Sequence, residues 1–271
     1  MALTINTNTP SYANLSLINR LLDLSTERMS SGRRINRAAD DPAGYALSES
    51  IDALSRSTTQ AIRNTNDGIS FVQTAEGATT SAGDLTKRMR EIAVQGSSST
   101  LTSTQRTNLQ SELDSIVEEV ERLANNTSFN DISLTDGSTS SIAVQVGMNG
   151  SSNDQVNIKF GSLKTANLGI DALSVATTTA SSSAITRIDT ALDSINSYNS
   201  TYGATQNRFD SNISNLETYS ANLTTSYSNI VDADYAYESA QYTKQQTIQQ
   251  AALAVMAQSN VNRQSILTLL V

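Results

Sequence analysis

The sequence predicts a mainly α protein. It should be an elongated helical bundle or coiled coil built from paired N- and C-terminal segments, with a small β-hairpin region in the middle. Three observations predict this. From residue 185 to 230 the chain alternates three- and four-residue steps through Ile185, Ile188, Leu192, Ile195, Asn199, Tyr202, Gln206, Phe209, Ile213, Leu216, Ser220, Leu223, Tyr227 and Ile230. Such an a/d seam, sustained for about six heptads, marks a helix packed against other helices along its whole length. It would run roughly 69 Å at the standard helical rise. A compact globule of this chain would be only roughly 48 Å across, so a rod is expected. Second, the 2 prolines are Pro10 and Pro42, which leaves the rest of the chain free to form long helices. Third, residues 125 to 180 are rich in Gly, Asn, Ser and Asp, with alternating apolar residues.

The elements follow in order. Residues 12 to 30 carry Leu15, Ile18, Leu22, Ser25 and Met29 at helical spacing. Gly32 can end that helix, and Asp41-Pro42 pairs an N-cap with a first-turn proline. A long helix should run from Pro42 to about Gly96 on Leu47, Ile51, Leu54, Ile62, Ile69, Val72, Leu85, Met89 and Ile92. Ser103 or Thr104 can cap a third, with Leu109, Leu113, Ile116, Val120 and Leu123 inward. Residues 141–150 and 154–163 alternate around Gly-Ser-Ser-Asn and predict a β-hairpin. Residues 176–183 read as a polar linker, with Ser183 capping the seam helix. The helix expected from Asp232 to Val271 carries Ala233, Tyr237, Ala240, Ile248, Ala251 and Val255, and closes on the apolar run ILTLLV. Isolated helices of this size are marginal in water, so both ends should fold only against partners.

Composition excludes much chemistry. There is no Cys, His or Trp, so there is no thiolate, no imidazole base and no zinc helix. No cofactor is implied. Asp40, Asp41 and Glu49 are the best candidate cation ligands, yet adjacent carboxylates in a capping turn read first as structural. The net charge of -8 opposes nucleic-acid binding. Arg20, Arg28, Arg33, Arg34 and Arg37 read as ion-pair partners of Asp23, Glu27, Asp40 and Asp41. No run approaches the ~20 apolar residues of a membrane span, so no membrane is expected. The first residues lack the basic start and apolar core of a cleaved secretory signal.

Several stretches carry a family resemblance. They are INTNTPS (5–11), ERMSSGRRINRAADDPAGYALSE (27–49), RNTNDGISFVQTAEGA (63–78), KRMREIAVQG (87–96), NNTSFND (125–131) and VDADYAYESA (231–240). Through them the chain resembles bacterial flagellin nearly end to end, in a minimal form that lacks the variable outer domains.

The resemblance implies a structural, non-catalytic subunit that polymerises head-to-tail into the extracellular flagellar filament. It implies an inner domain, 1–41 with 232–271, and a rod-like bundle, 42–231, with the hairpin near 141–163. Export would need no cleaved signal. Partners would be other flagellin copies, hook-junction proteins, the filament cap and an export chaperone. Inner-helix assembly would fall on Leu15, Ile18, Leu22, Ile248, Val255, Leu267, Leu269 and Leu270. The seam of the outer bundle would be Ile188, Leu192, Ile195, Tyr202, Phe209, Ile213, Leu216, Leu223, Tyr227 and Ile230. Arg88, Ile92 and Glu112 match the positions through which related flagellins meet a vertebrate Toll-like receptor; the same residues could instead serve a subunit interface. Two readings also stand for the segment Gly32 to Gly44, a bistable hinge or a plain connector, and for Asn199 and Ser220, register setting or local underpacking.

Overall fold

The computed structural model describes the chain from residue 9 to 270, with side chains described for 12–262 and 265. The helices are α1 (Thr9–Ser31), α2 (Pro42–Gly96), α3 (Ser103–Asn126), the single turn α4 (Thr165–Leu168), α5 (Thr178–Val231) and α6 (Tyr235–Leu270). Two small antiparallel pairs, β1 (Ser128–Phe129) with β2 (Ile132–Ser133) and β3 (Ser141–Gln145) with β4 (Gln155–Lys159), lie between α3 and α4. The chain divides into two compact units, one of residues 56–220 and one of residues before 56 with those after 220.

In the 56–220 unit, α2 and α5 meet through an asymmetric seam. From α5 come Ile188, Ile195, Tyr202, Phe209 and Leu216, seven residues apart and all buried. From α2 come Thr58, Thr65, Val72, Thr79, Thr86 and Ala93, again seven apart and each 0% exposed. Ala61, Ala75, Ala82 and Met89 fill its second inward row. Small residues are required there. A Cβ on Gly68 would lie 3.0 Å from Phe209 Cζ, and one on Gly83 would lie 3.4 Å from Ile195 Cγ2. Three of the buried threonines are satisfied by their own helix: Thr65, Thr79 and Thr86 each donate to the carbonyl four residues back at 2.7 Å. Their methyls are thereby left to pack. Of the large apolar residues expected to face inward on α2, Ile51, Val72, Met89 and Ile92 are buried, whereas Leu54, Ile62, Ile69 and Leu85 are half-buried and Leu47 is 53% exposed.

Two cores result. Met89, Ile92, Leu109, Leu113, Val120, Ile170, Ile188 and Ile195 join α2, α3 and α5. Val72, Leu134, Val144, Val156, Ile158, Tyr202 and Phe209 seat the larger hairpin on α2 and α5. Its register pairs Ser141 with Lys159 and Gln145 with Gln155. The connection is longer than the four-residue turn expected, because the Asp154 carbonyl accepts both Val146 N–H (2.8 Å) and Gly147 N–H (3.0 Å) and so ends the ladder early. The β1–β2 hairpin was not anticipated. Its turn residues Asn130 (φ 49°) and Asp131 (φ 61°) both take the left-handed conformation that tight hairpins need.

Two helix starts differ from expectation. Thr102 caps α3 rather than Ser103 or Thr104, because Gln105 can complete a reciprocal capping box with it: Gln105 N–H donates to Thr102 Oγ1 and Thr102 N–H to Gln105 Oε1. Residues 178–183 are helix, not linker. Thr177 caps α5 through Ala180 N–H (3.1 Å), and Ser183 turns its hydroxyl back to the Thr179 carbonyl.

Candidate assembly surface

The second unit is built from α1 and α6 with the start of α2 and the end of α5. Gly32, at φ +69°, ends α1 in the conformation glycine adopts freely. Its carbonyl accepts Ala233 N–H at 3.0 Å, and Arg34 N–H reaches the Val231 carbonyl at 2.6 Å. Arg33 and Asp232 form an antiparallel bridge there. From this bridge α1 and α6 run antiparallel: Arg28 pairs with Glu238 at 3.0 Å, and Gln249 Nε2 donates to Asn19 Oδ1 at 2.7 Å. The Glu238 side chain is only 5% exposed, so the ion pair is held largely away from water.

Of the clustered arginines, Arg37 finds an expected acidic partner, whereas Arg28, Arg33 and Arg34 are held by other groups. Arg37 chelates Glu27 at 2.7 Å, while Arg28 crosses to α6. Arg33 lies 6.0 Å over the Tyr227 ring, and Arg34 donates to the Ile230 carbonyl. Asp40 accepts the N–H groups of Asn36 and Arg37, which hold its carboxyl below the usual range. Asp41 caps α2 through Gly44 N–H at 3.0 Å. Both carboxylates therefore act in the turn itself.

Beyond these polar ties the pair of end helices buries little. Leu15, Ile18 and Leu22 are half-buried on α1, while Tyr12, Leu17 and Leu21 are exposed. On α6, Ile248 is 40%, Leu253 48%, Val255 68% and Val261 54% exposed. Ile248, Ala251, Ala252, Val255 and Met256 line a shallow groove of about 310 Å³ beside Asn14. The side chains of Leu267, Leu269 and Leu270 lie outside the described residues. Among the described residues, no helix is long and apolar enough to cross a membrane. An apolar face of this kind, on helices already paired by hydrogen bonds, is suited to burial against other protein.

Of the seam residues named from sequence, Ile188, Ile195, Tyr202, Phe209, Leu216 and Leu223 are buried, and Leu192, Ile213, Tyr227 and Ile230 are half-buried. The second inner row of α5 is formed by Ala184, Ala191 and Thr205, which apolar counting passed over. Arg88 and Glu112 come together in an ion pair at 2.7 Å, with Glu91 at 2.8 Å on the same guanidinium. Ile92 does not share their surface. It is 1% exposed and turned into the core with Met89 and Leu113, because it lies three residues after Met89 and beside Ala93 on the inward stripe of α2.

Terminal helices paired in one unit with an apolar face left open, and a small-residue coiled seam in the other, define a structural protein built to pack with others of its kind. Comparison with known proteins agrees. Residues 5–140 match the bacterial flagellin N-terminal helical region, and residues 185–270 match the bacterial flagellin C-terminal helical region. A flagellin of Halalkalibacterium halodurans is 39% identical over 244 residues, covering 90% of each chain. A flagellar filament 30.7 kDa core protein of Treponema maltophilum is 34% identical, covering 98% of this chain and 99% of its own. Among solved structures, Bacillus cereus flagellin matches with a TM-score of 0.52 at 28% identity, over 57% of this chain and 88% of its own. The chain belongs to the bacterial flagellin family.

Proposed function

We propose that this chain is a structural subunit of a bacterial flagellar filament, which polymerises with copies of itself outside the cell and has no catalytic role. The observation that carries this reading is the α1–α6 pair. Its two helices are joined by Arg28–Glu238 and Asn19–Gln249, yet leave Leu17, Leu253, Val255 and Val261 in water. Burying such side chains is worth roughly 1.5–3 kcal/mol each, a gain realised only when neighbours arrive. The contacts must be heterologous, because an open polymer needs interfaces that do not close. Residues 1–41 with 232–271 would form the inner layer and 42–231 the outer. Leu15, Ile18, Leu22, Ile248, Val255, Leu267, Leu269 and Leu270 would make the inner contacts.

Hook-junction proteins, a filament cap and an export chaperone would meet the same ends before or during assembly. Receptor recognition would use Arg88 and Glu112, with Ile92 supporting them from below. Purified protein, alone and with sonicated filament fragments as seeds, tests the main reading by electron microscopy. Seeded growth of filaments is expected; protein that stays monomeric at high concentration with seeds overturns it. An Arg88→Ala monomer that activates receptor-bearing cells as well as the unaltered chain removes the receptor reading alone.

A further inference from the structure

We propose that the Asn149-Gly150 peptide in the connection between β3 and β4 is a self-modifying site. There the asparagine converts to aspartate and isoaspartate with no enzyme, by attack of its own backbone. The reaction needs four conditions, and the structure meets each. The following residue must offer an unhindered nitrogen: Gly150 has no side chain, and nothing lies within 4 Å of where a Cβ would stand. That nitrogen must be free, and among the described residues Gly150 N–H donates no hydrogen bond. The asparagine amide must be free to swing. Asn149 is exposed, and only its backbone carbonyl is engaged, accepting from Gln145 Nε2 at 2.7 Å. The backbone must be able to leave its resting angles, and residues 147–150 lie in neither helix nor strand. Donation from Gln145 to the Asn149 carbonyl also draws electrons from that peptide bond, which makes the Gly150 N–H more acidic.

The chemistry balances with water alone. The deprotonated Gly150 nitrogen attacks Asn149 Cγ, the C–N bond to the side-chain amide breaks, and ammonia leaves with the proton. The five-membered succinimide is then opened by water at either carbonyl. One opening gives aspartate; the other gives isoaspartate, with the main chain routed through the side chain. Either product makes the chain one charge more negative than its present -8.

Other sites that could follow the same route are held back. Asp136-Gly137 has its carboxylate fixed by Ser138, whose N–H and O–H both donate to Oδ1 (2.9 and 2.6 Å). Asp67-Gly68 lies inside α2, with Gly68 against Phe209. Asn125 donates to the Glu121 carbonyl within α3, and Asn167 to Ser162 Oγ. The new charge would arise beside Ser151 and Asp154, which are hydrogen-bonded at 2.7 Å. It would also adjoin Met148, whose sulfur accepts the Thr58 hydroxyl at 3.0 Å. A subunit that stays in place for long after assembly would accumulate this mark with age.

Full-length monomer held in mildly alkaline buffer, sampled over time and digested, tests the site by mass spectrometry and by isoaspartate methylation with a purified methyltransferase. The expected result is the mass gain of one deamidation in the peptide containing Asn149, faster than at any other asparagine and accelerating with pH. An acidic species should grow in step on isoelectric focusing. Asn149→Gln and Gly150→Ala should each suppress that species while melting like the unaltered chain. Deamidation no faster at Asn149 than at the helical asparagines, or an acidic species undiminished in Asn149→Gln, overturns the proposal. Neither outcome bears on filament assembly, so this site and the proposed function fail separately.

Discussion

Tyr202 carries its phenol into the core that seats the larger hairpin, where it is 0% exposed and its oxygen accepts Gly161 N–H at 3.1 Å. Burial pushes this phenol's pKa up, so the group stays neutral and serves only as a hydrogen-bond partner. Tyr202→Phe keeps the ring but strands the Gly161 N–H, and should cost about 1–3 kcal/mol in urea unfolding of the monomer. Glu121 makes the same kind of link with a charge. Its Oε2 accepts Thr165 N–H (2.9 Å) and the Thr165 hydroxyl (2.8 Å), which ties α4 to α3. The Thr165 N–H is the first cause that lowers its pKa. A depressed carboxyl stabilises the fold above its unfolded value of about 4.3, and that contribution is lost as pH falls through the lower folded value. Glu121→Gln should therefore cost about 1 kcal/mol at neutral pH and progressively less in acid. Melting curves of both chains at neutral and acid pH would converge on acidification; a constant gap between them would remove the charge from the account.

At the scale of elements, the α2 seam turns on threonine size. Thr65 is 0% exposed, with its hydroxyl already bonded to the Ala61 carbonyl. Thr65→Leu adds volume where the helices meet and should cost about 1–3 kcal/mol. Thr65→Val keeps the methyl shape and removes a bond internal to the helix, at less than about 1 kcal/mol. Thermal melts that rank the two the other way would mean that the hydroxyl, not the fit, holds the seam. This seam also shows what a sequence displays and hides. The α5 row was legible because Ile188, Ile195, Tyr202 and Phe209 are large and apolar at fixed spacing. The α2 rows were legible only at Val72 and Met89, because the threonines and small residues between them carry little hydropathy signal. Their trace was the seven-residue spacing of Thr58, Thr65, Thr79 and Thr86. Pro42 fixed the start of α2, and alternation fixed the larger hairpin, since both are local signals. The partner of Arg28 was illegible for the opposite reason: Glu238 lies 210 residues away, and only the fold brings it near.

At the scale of the whole molecule, burial is uneven between the two units. Residues 56–220 hold both apolar cores, whereas Ser25 is the buried side chain among those described on α1 and Glu238 among those on α6. Local stability follows buried apolar contact, so amide exchange of a dilute monomer should be fast along α1 and α6 and slow along the α2–α5 seam. Incorporation into a polymer should protect the end helices. Full protection of α1 and α6 in the free monomer would separate their folding from assembly. The sharper experiment places charge on the open face. Ile248 and Val255, two turns apart on one side of α6, are 40% and 68% exposed, so Ile248→Asp with Val255→Asp should leave the monomer's melting and the exchange of its core unchanged. Burial of two carboxylates among apolar neighbours costs several kcal/mol each, which no assembly contact on that face could absorb. The double variant should therefore fold, pair α1 with α6 through Arg28–Glu238, and fail to elongate seeds. Ile188→Asp, in contrast, should lose the fold itself, because that side chain is 0% exposed. Filaments grown at the normal rate from the double variant would place the assembly contacts elsewhere on the chain.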